Sequence, residues 1–498
     1  MVEVKLNINN RYFWGGLLLV LILSTCAFFI KYNDFKNDRG IENIQATYHA
    51  LLTINSLSSL PVNESALLPT VNFSGDINKN IPWAAAVKTS EGNYIYTSFP
   101  SLGFVAPYVT LRALNAALSM KNLFLFNSAL SVLTTTVFFT MVYLLTSTCS
   151  SEIRKSIAAV AGCSVLIFSC ESLVSSGLVY WPHALSQLII AVILLLFVIR
   201  GDKNNNIVDI ALFLSLLAFS MTEWTGYVFC ALLVVYLFIV KPEDWKRISY
   251  ICISSSLLAI IIFAMQIEMV ISLDEFFRTS IERFSARSSS KANLSKLLEG
   301  YWVSFGIYLI FIIPFIIYLK DKRYRFLLIL CVLPMFENVI LAQHATAFTF
   351  DRWKFAFLIG TSIALMCSQG SFKLIIAVML AVLAALCGVW KYQSRIETFS
   401  TWTDADKKNK ALVSAASQLT NFGCAEIFSD TRVRGYPVML FMRGIHEGMP
   451  THPFEVMHNN KNVCSVIILH GDMPTPDMPE FHSIEVWERG KNSPYILK

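Results

Sequence analysis

"IVDIALFLSLLAFSMTEWTGYVFCALLVVYLFIV", residues 207–240, is one long apolar stretch broken near its middle by Glu223-Trp224-Thr225-Gly226. As a single helix it would run about 51 Å at 1.5 Å per residue, against a bilayer core of about 30 Å. The stretch therefore reads as two short spans joined by a hairpin tip at Glu223-Trp224-Thr225-Gly226. Each half is short, so the tip lies below the headgroups, against protein or a wet cavity. An acidic side chain there is costly unless it meets a partner or a cavity, which makes Glu223 a candidate site residue, with a structural ion pair as the competing reading.

The rest of the chain agrees with a membrane setting. Of 498 residues, 55% are hydrophobic and only 15% charged, where soluble domains carry about 25%; the mean hydropathy is +0.55. Eleven apolar runs stand out, at 13–30, 122–147, 156–172, 183–199, 207–221, 225–240, 248–267, 301–319, 326–342, 353–368 and 373–390. The first follows Lys5 and Arg11 and reads as an uncleaved anchor rather than a signal peptide. With the N-terminus inside, the short inner loops carry Arg154-Lys155, Arg200 with Lys203, Lys241 with Lys246-Arg247, and Lys320 with Lys322, Arg323 and Arg325, as the positive-inside rule requires. The long segments 31–121 and 391–498 then both lie outside. The sequence thus predicts an α-helical polytopic membrane protein: a transmembrane domain over 1–390, including the long first outer loop 31–121, and a small C-terminal α/β domain over 391–498.

The first outer segment opens on "KYNDFKNDRGIENIQATYHALL", residues 31–52, with Asp34, Asp38 and Glu42 at a spacing that stacks them on one helix face. A solvated helix paired to Lys31, Lys36 and Arg39 explains Asp34 adequately and Glu42 poorly. A carboxylate at the wet end of a membrane cavity can instead deprotonate a hydroxyl or hold a metal. The helix continues with Ile44, Thr47, Ala50 and Leu51, a pattern for lying along the membrane surface. Further on, "EGN" reads as a turn, "YIYTSF" as a strand and Pro-Ser-Leu-Gly as a break before a second helix; Trp83, Tyr94, Tyr96 and Phe99 suit acceptor or lipid contact.

Two outer segments gather charge. Residues 268–300 carry Arg278, Arg283, Arg287, Lys291 and Lys296, against the topology signal. Neighbouring Asp274, Glu275, Glu282 and Glu299 allow a solvated charged helix; an anionic phosphate held at the surface is the equal alternative. Residues 336–355, "FENVILAQHATAFTFDRWKF", gather Glu337, Asn338, His344, Asp351, Arg352 and Lys354. Arg352, Lys354 and His344 suit charge-assisted bonds to a phosphate diester, and Glu337 joins Glu223 as a cavity acid. Of eleven cysteines only Cys424 and Cys464 fall in an outer soluble segment, where an oxidising compartment would permit a disulfide. The C-terminal segment offers strands at "CAEIFS", "VCSVIIL" and "SIEVWE" and a helix ending at Gly423, without GxGxxG, Walker, HExxH or CxxC motifs. No cofactor is indicated; a divalent metal is compatible with the carboxylates but not called for.

An acid at a lipid interface facing phosphate-binding cations suits a transferase that takes sugar from a polyprenyl phosphate. In layout, and in "NDFKNDRGIEN", "NYIYTSFPSLGFVAPY" and "ENVILAQH…DRWK", the chain resembles the GT-C membrane glycosyltransferases, and more narrowly the phage-type O-antigen glucosyltransferases of serotype conversion in enteric bacteria. The resemblance places the catalytic acid on Asp38 or Glu42, although the adjacent acidic pair of some relatives is missing. It implies undecaprenyl-phosphate glucose as donor, lipid-linked O-antigen as acceptor, and a bacterial inner-membrane location with the C-terminal domain periplasmic. It leaves room for a flippase and a donor-synthesising transferase as partners and gives no role to nucleic acid. An O-antigen polymerase or ligase, or a lipid-linked sugar flippase or transporter, shares the many spans and the charged cavity; the lack of an inverted repeat in hydropathy speaks against a transporter.

Overall fold

The structure, a computed structural model, describes residues 10–37, 39, 44–71, 86–146, 151–201, 205–287 and 294–398, with four strand segments beyond them. In chain order the helices are α1 (Arg11–Lys36), α2 (Ile44–Ser59), α3 (Val62–Ser65), α4 (Leu102–Ala113), α5 (Met120–Leu145), α6 (Glu152–Phe168), α7 (Cys170–Ser175), α8 (His183–Arg200), α9 (Asn206–Thr222), α10 (Thr225–Val240), α11 (Trp245–Glu268), α12 (Leu273–Arg287), α13 (Leu294–Phe305), α14 (Ile312–Tyr318), α15 (Lys322–Val332), α16 (Phe336–Ile340), α17 (Ala342–Ala347), α18 (Phe355–Ser368) and α19 (Ser371–Thr398). Tight 3₁₀ turns occupy Gly306–Phe311, Leu333–Met335 and Thr349–Lys354.

Among the described residues, six helical segments have the length and composition to cross a bilayer: Arg11–Lys36, Met120–Leu145, His183–Arg200, Trp245–Glu268, Leu294–Tyr318 and Ser371–Thr398. The shorter apolar helices Asn206–Thr222 and Thr225–Val240 are the two halves of the opening stretch. Their reversal is tight. Glu223 is extended (φ −154°, ψ 144°), and a Cβ on Gly226 would sit 2.5–2.6 Å from the backbone of Phe219 and Ser220. Only glycine lets α10 fold back against α9 there.

Apolar side chains fill the interior between α5, α6, α8, α9 and α18, with Phe138, Phe139, Leu194, Leu216, Phe219 and Phe357 at 0–2% exposure. Others, including Leu18, Phe29, Leu214, Ile261, Met265, Met379 and Leu386, face outward, as lipid contact requires. α6 and α18 approach closely because both carry glycine at the crossing: a Cβ on Gly360 would meet the Gly162 carbonyl at 2.6 Å, and one on Gly162 the Gly360 carbonyl at 2.8 Å.

The segment after α1 departs from the surface-helix expectation. In α2 the side chains Thr47, Tyr48, His49, Ala50, Leu51, Leu52, Thr53 and Ile54 are all buried, so more than one face is enclosed by protein. Thr47 explains the attachment: its hydroxyl donates to the Leu178 carbonyl at 2.7 Å and accepts from the Tyr180 amide at 2.9 Å. His49 packs on Tyr96, Phe104 and Trp181, and burial drives its imidazole down to about 3, so it is neutral. Strands β1 (Ala86–Lys88) and β2 (Tyr94–Tyr96) pair antiparallel, with Val87 opposite Ile95, and α4 follows.

Beyond α19, β3 (Glu426–Ser429), β4 (Ile445–Glu447), β5 (Ser465–Leu469) and β6 (Tyr495–Leu497) form a sheet in the order β4-β3-β5-β6. β3 is parallel to β4 and β5, while β6 is antiparallel to β5. β3 and β5 fall on two of the three expected strands; the helix ending at Gly423, the strand at "SIEVWE", Cys424 and Cys464 lie outside the described residues.

Candidate functional site

The hairpin tip, the N-terminus of α8 and the segment from α16 to the Thr349–Lys354 turn meet at one end of the bundle. Pro182 precedes His183 and starts α8, which sets the imidazole at the helix mouth. Its Nε2 lies 2.6 Å from Asp351 Oδ1, and its Nδ1 meets Glu223 Oε1. Asp351 Oδ2 bonds to His344 Nδ1. Lys354 Nζ pairs with Glu223 Oε1 at 3.0 Å and with Glu337, and donates to Thr225 Oγ1 at 2.7 Å. Thr225 in turn donates to Glu337. Six ionisable side chains from α8, the α9–α10 tip, α16, α17 and the 349–354 turn thus form one continuous network.

The network is mostly enclosed. His183, Glu223, Asp351 and Lys354 are all buried, Glu223 and Lys354 completely. Burial acts to raise the Asp351 carboxyl, but the His344 and His183 imidazoles beside it outweigh burial and hold it well below the usual carboxylate range. Asn338 fixes the turn by donating to the Asp351 carbonyl at 3.1 Å and to the Tyr301 hydroxyl oxygen at 2.8 Å.

A cavity of about 510 Å³ opens beside this network. His183, Glu337, His344 and Asp351 give it a polar end, with Thr97 and Ser98 nearby. Its remaining wall is apolar and aromatic, built mainly by Trp224 and Tyr227 of the tip and by Phe276, Phe277, Ile281 and Phe284 of α12. α12 is anchored through Phe276, whose ring meets Phe263 of α11 at 5.5 Å, while Phe277, Ile281 and Phe284 are more than half exposed. Such a space suits an amphipathic occupant: a polar head against the imidazoles and carboxylates, and a hydrocarbon tail along α12.

The sequence candidates divide. His344 and Glu337 reach the cavity, as does Phe99, whose ring lies 5.5 Å from that of His183. Glu223 stands behind His183 and pairs with it. Lys354 is committed to Glu223, Glu337 and Thr225. Arg352 is buried and turned away, its guanidinium donating to Ser304 Oγ at 3.1 Å and to the Ala345 and Thr346 carbonyls; Gly300 leaves the space for it, since a Cβ there would sit 2.7 Å from Nη1. Tyr96 packs on His49 and Trp181, and Tyr94 lies on β2. Asp34 is buried at the end of α1, where the Arg39 guanidinium lies 3.5 Å from its carboxyl. Lys31, expected near Asp34, donates instead to the Ser176 carbonyl at 2.8 Å and hydroxyl at 2.9 Å. Arg283 and Arg287 lie on α12, with their side chains outside the described residues, as are Asp38, Glu42 and Trp83. Among the described residues no cluster of His, Cys, Asp or Glu has the convergence to hold a metal ion.

His183 and Asp351 are the residues that sequence reasoning left without a role. His183 read as the first position of an apolar run, although a histidine directly after Trp181-Pro182 at the start of that run was a usable signal. Asp351 stood among the charges of 336–355, but nothing local reveals that two distant imidazoles flank it.

No family model matches the sequence, and no curated protein matches it either. The fold does match solved structures. The Archaeoglobus fulgidus oligosaccharyltransferase in its apo form aligns over 94% of this chain and 71% of its own, with a TM-score of 0.57 and 10% identity. The archaeal oligosaccharyltransferase AglB of the same organism, in complex with an inhibitory peptide and a dolichol-phosphate, aligns over 93% and 70%, with a TM-score of 0.55 and 12% identity. The form tethered to an acceptor peptide gives 0.53 over 91% and 69%, at 10% identity. The chain therefore has the GT-C fold of these membrane enzymes.

Proposed function

We propose that the protein is a membrane glycosyltransferase that moves a sugar, glucose in the narrower reading, from a polyprenyl-phosphate donor to an O-antigen or related lipopolysaccharide acceptor. The observation that carries the reading is the cavity: a polar end of His183, His344, Asp351 and Glu337 joined to an aromatic wall on α12. That shape suits a phosphorylated sugar with a long isoprenoid tail, and a neighbour of the same fold binds dolichol-phosphate.

In this reading α12 lies along the isoprenoid, and Arg283 and Arg287 on the same helix are the cations offered to the donor phosphate. Asp38 and Glu42 of the first outer segment are the carboxylates offered to the acceptor, and Trp83, Tyr96 and Phe99 its aromatic neighbours. The N-terminus is cytoplasmic and the cavity periplasmic in a bacterial inner membrane. An impermeant thiol reagent should then label Glu91→Cys, in the exposed turn before β2, in intact spheroplasts of a cysteine-free variant; labelling only after lysis would reverse the orientation.

The reading as a whole is tested by incubating purified protein in lipid with radiolabelled polyprenyl-phosphate glucose and lipid-linked O-antigen. Transfer of label to the acceptor, with release of polyprenyl phosphate, is the expected result. Transfer only from a diphosphate-linked oligosaccharide would favour a polymerase or ligase, and movement of the intact lipid across the bilayer without transfer would favour a flippase.

A further inference from the structure

His344 differs from the other imidazole at the cavity, whose two nitrogens both meet carboxylates. Its ring lines the space, its Nδ1 is committed to Asp351 Oδ2, and its Nε2 has no hydrogen bond among the described residues. Asp351 is itself fixed from behind: His183 Nε2 sits 2.6 Å from its second oxygen, and Glu223 holds the far nitrogen of His183. An ionised carboxylate on Nδ1–H selects the tautomer that presents a lone pair on Nε2, and it stabilises the imidazolium formed when that lone pair takes a proton.

The competing groups are tied into ion pairs. Glu337 accepts from Lys354 and Thr225 at Oε2, which pairs its charge with the Lys354 ammonium. Lys354 is enclosed between Glu223, Glu337 and Thr225, and Arg352 points to Ser304 and backbone carbonyls. The titratable groups that share the cavity with His344 are Asp351 from the 349–354 turn, Glu337 from α16, His183 from α8 and Tyr227 from α10. α12 contributes Phe276, Phe277, Ser280, Ile281 and Phe284 to the cavity wall. With Lys354 and Glu337 neutralising each other, Asp351 is the charge that His344 feels most directly.

We infer that His344 Nε2 is the general base of the transfer, positioned by Asp351; this rests on the glycosyltransferase reading above. The acceptor O–H bond breaks and its proton passes to Nε2. The acceptor oxygen forms a bond to the anomeric carbon, and the bond from that carbon to the donor phosphate breaks with its electron pair leaving on polyprenyl phosphate. The imidazolium returns its proton to water. His344 is the catalytic residue in this scheme, and Asp351, His183 and Glu223 position it.

Single-turnover transfer from saturating labelled polyprenyl-phosphate glucose, measured across pH 5–9, tests the assignment, with binding of polyprenyl phosphate followed separately by tryptophan quenching. His344→Gln is expected to bind donor within threefold of wild type, to transfer 10²–10⁴-fold more slowly, and to lose the acid-side fall of the pH–rate profile. His344→Gly should regain rate with added imidazole, which a folding defect would not allow. Asp351→Asn should move the acid-side fall rather than abolish it. His344→Gln transferring at the wild-type rate with the wild-type profile would overturn the proposal. So would an acid-side fall that disappears in Asp38→Asn or Glu42→Gln and persists in His344→Gln. A weakened donor complex with an unchanged single-turnover rate would make His344 a phosphate contact instead. Absence of transfer by the wild-type protein would sink the glycosyltransferase reading itself.

Discussion

Lys354→Met removes the ammonium that joins the hairpin tip to the 349–354 turn. The side chain is fully buried, and its Nζ pairs with Glu223 at 3.0 Å and with Glu337 and bonds to Thr225 at 2.7 Å. Breaking a buried pair by deleting one partner typically costs about 3–5 kcal/mol, because the other charge stays behind uncompensated. The two carboxylates left here are not equally stranded. Glu337 lines the cavity and can meet water there, and Glu223 keeps its contact with His183. The cost should therefore fall near the lower end, about 3 kcal/mol, or roughly 150-fold in the ratio of folded to unfolded protein at 1.4 kcal/mol per tenfold. Unfolding in mixed micelles at increasing fractions of SDS, followed by tryptophan fluorescence, measures it. Lys354→Met/Glu223→Gln should recover part of the loss, since it removes the more deeply buried of the two charges. If Lys354→Met unfolds with the wild type while polyprenyl-phosphate binding drops tenfold or more, Lys354 is a ligand for the donor and not a structural tie.

Three further outcomes follow from other parts of the molecule. Gly360→Leu should sharply lower the yield of folded protein in detergent, because even a Cβ there meets the Gly162 carbonyl at 2.6 Å; normal yield and melting would mean that α6 and α18 can separate without penalty. Phe277→Ser with Phe284→Ser should weaken binding of a long-chain polyprenyl phosphate while barely affecting a short-chain analogue, as both rings form the apolar wall; equal loss for both chain lengths would place the tail elsewhere. The third outcome concerns pH: the Asp351 carboxyl is held low in the fold and has a value of about 3.9 when unfolded, so the stability it contributes is complete above about pH 4 and is lost as pH falls through the folded value. Asp351→Asn should thus destabilise throughout pH 5–8, read by the same unfolding titration; a penalty that fades between pH 7 and 5 would mean that burial, not the histidines, controls this carboxyl.

The apolar architecture was legible because it is written locally. Run length alone demanded a reversal inside 207–240, and Glu223 with Gly226 marked where it falls. The strand at 94–96 and the helix from Leu102 were likewise announced by "EGN" and Pro-Ser-Leu-Gly. The enclosed state of α2 was less visible, since Ile44, Thr47, Ala50 and Leu51 read as a face lying along the membrane until Leu178, Tyr180 and Trp181 close over the helix. The site was legible as a set of charges and not as pairings. Arg352 and Lys354 looked like outward cations because their partners, Ser304 for one and Glu223 and Glu337 for the other, lie 17 to 131 positions away along the chain. His183 was hidden by the apolar run it begins.

The claim on which the rest depends is that the donor lies between α12, the hairpin tip and the His344–Asp351 pair. A polyprenyl-phosphate glucose carrying a photoreactive diazirine in the isoprene units nearest the phosphate, crosslinked in lipid and mapped by peptide mass spectrometry, tests it directly. Labelling should concentrate on residues 224–228 and 276–284 and be competed by unmodified donor. Competable labelling confined instead to the membrane groove between α1, α6 and α19, around Gly15, Val160 and Val382, would contradict the account.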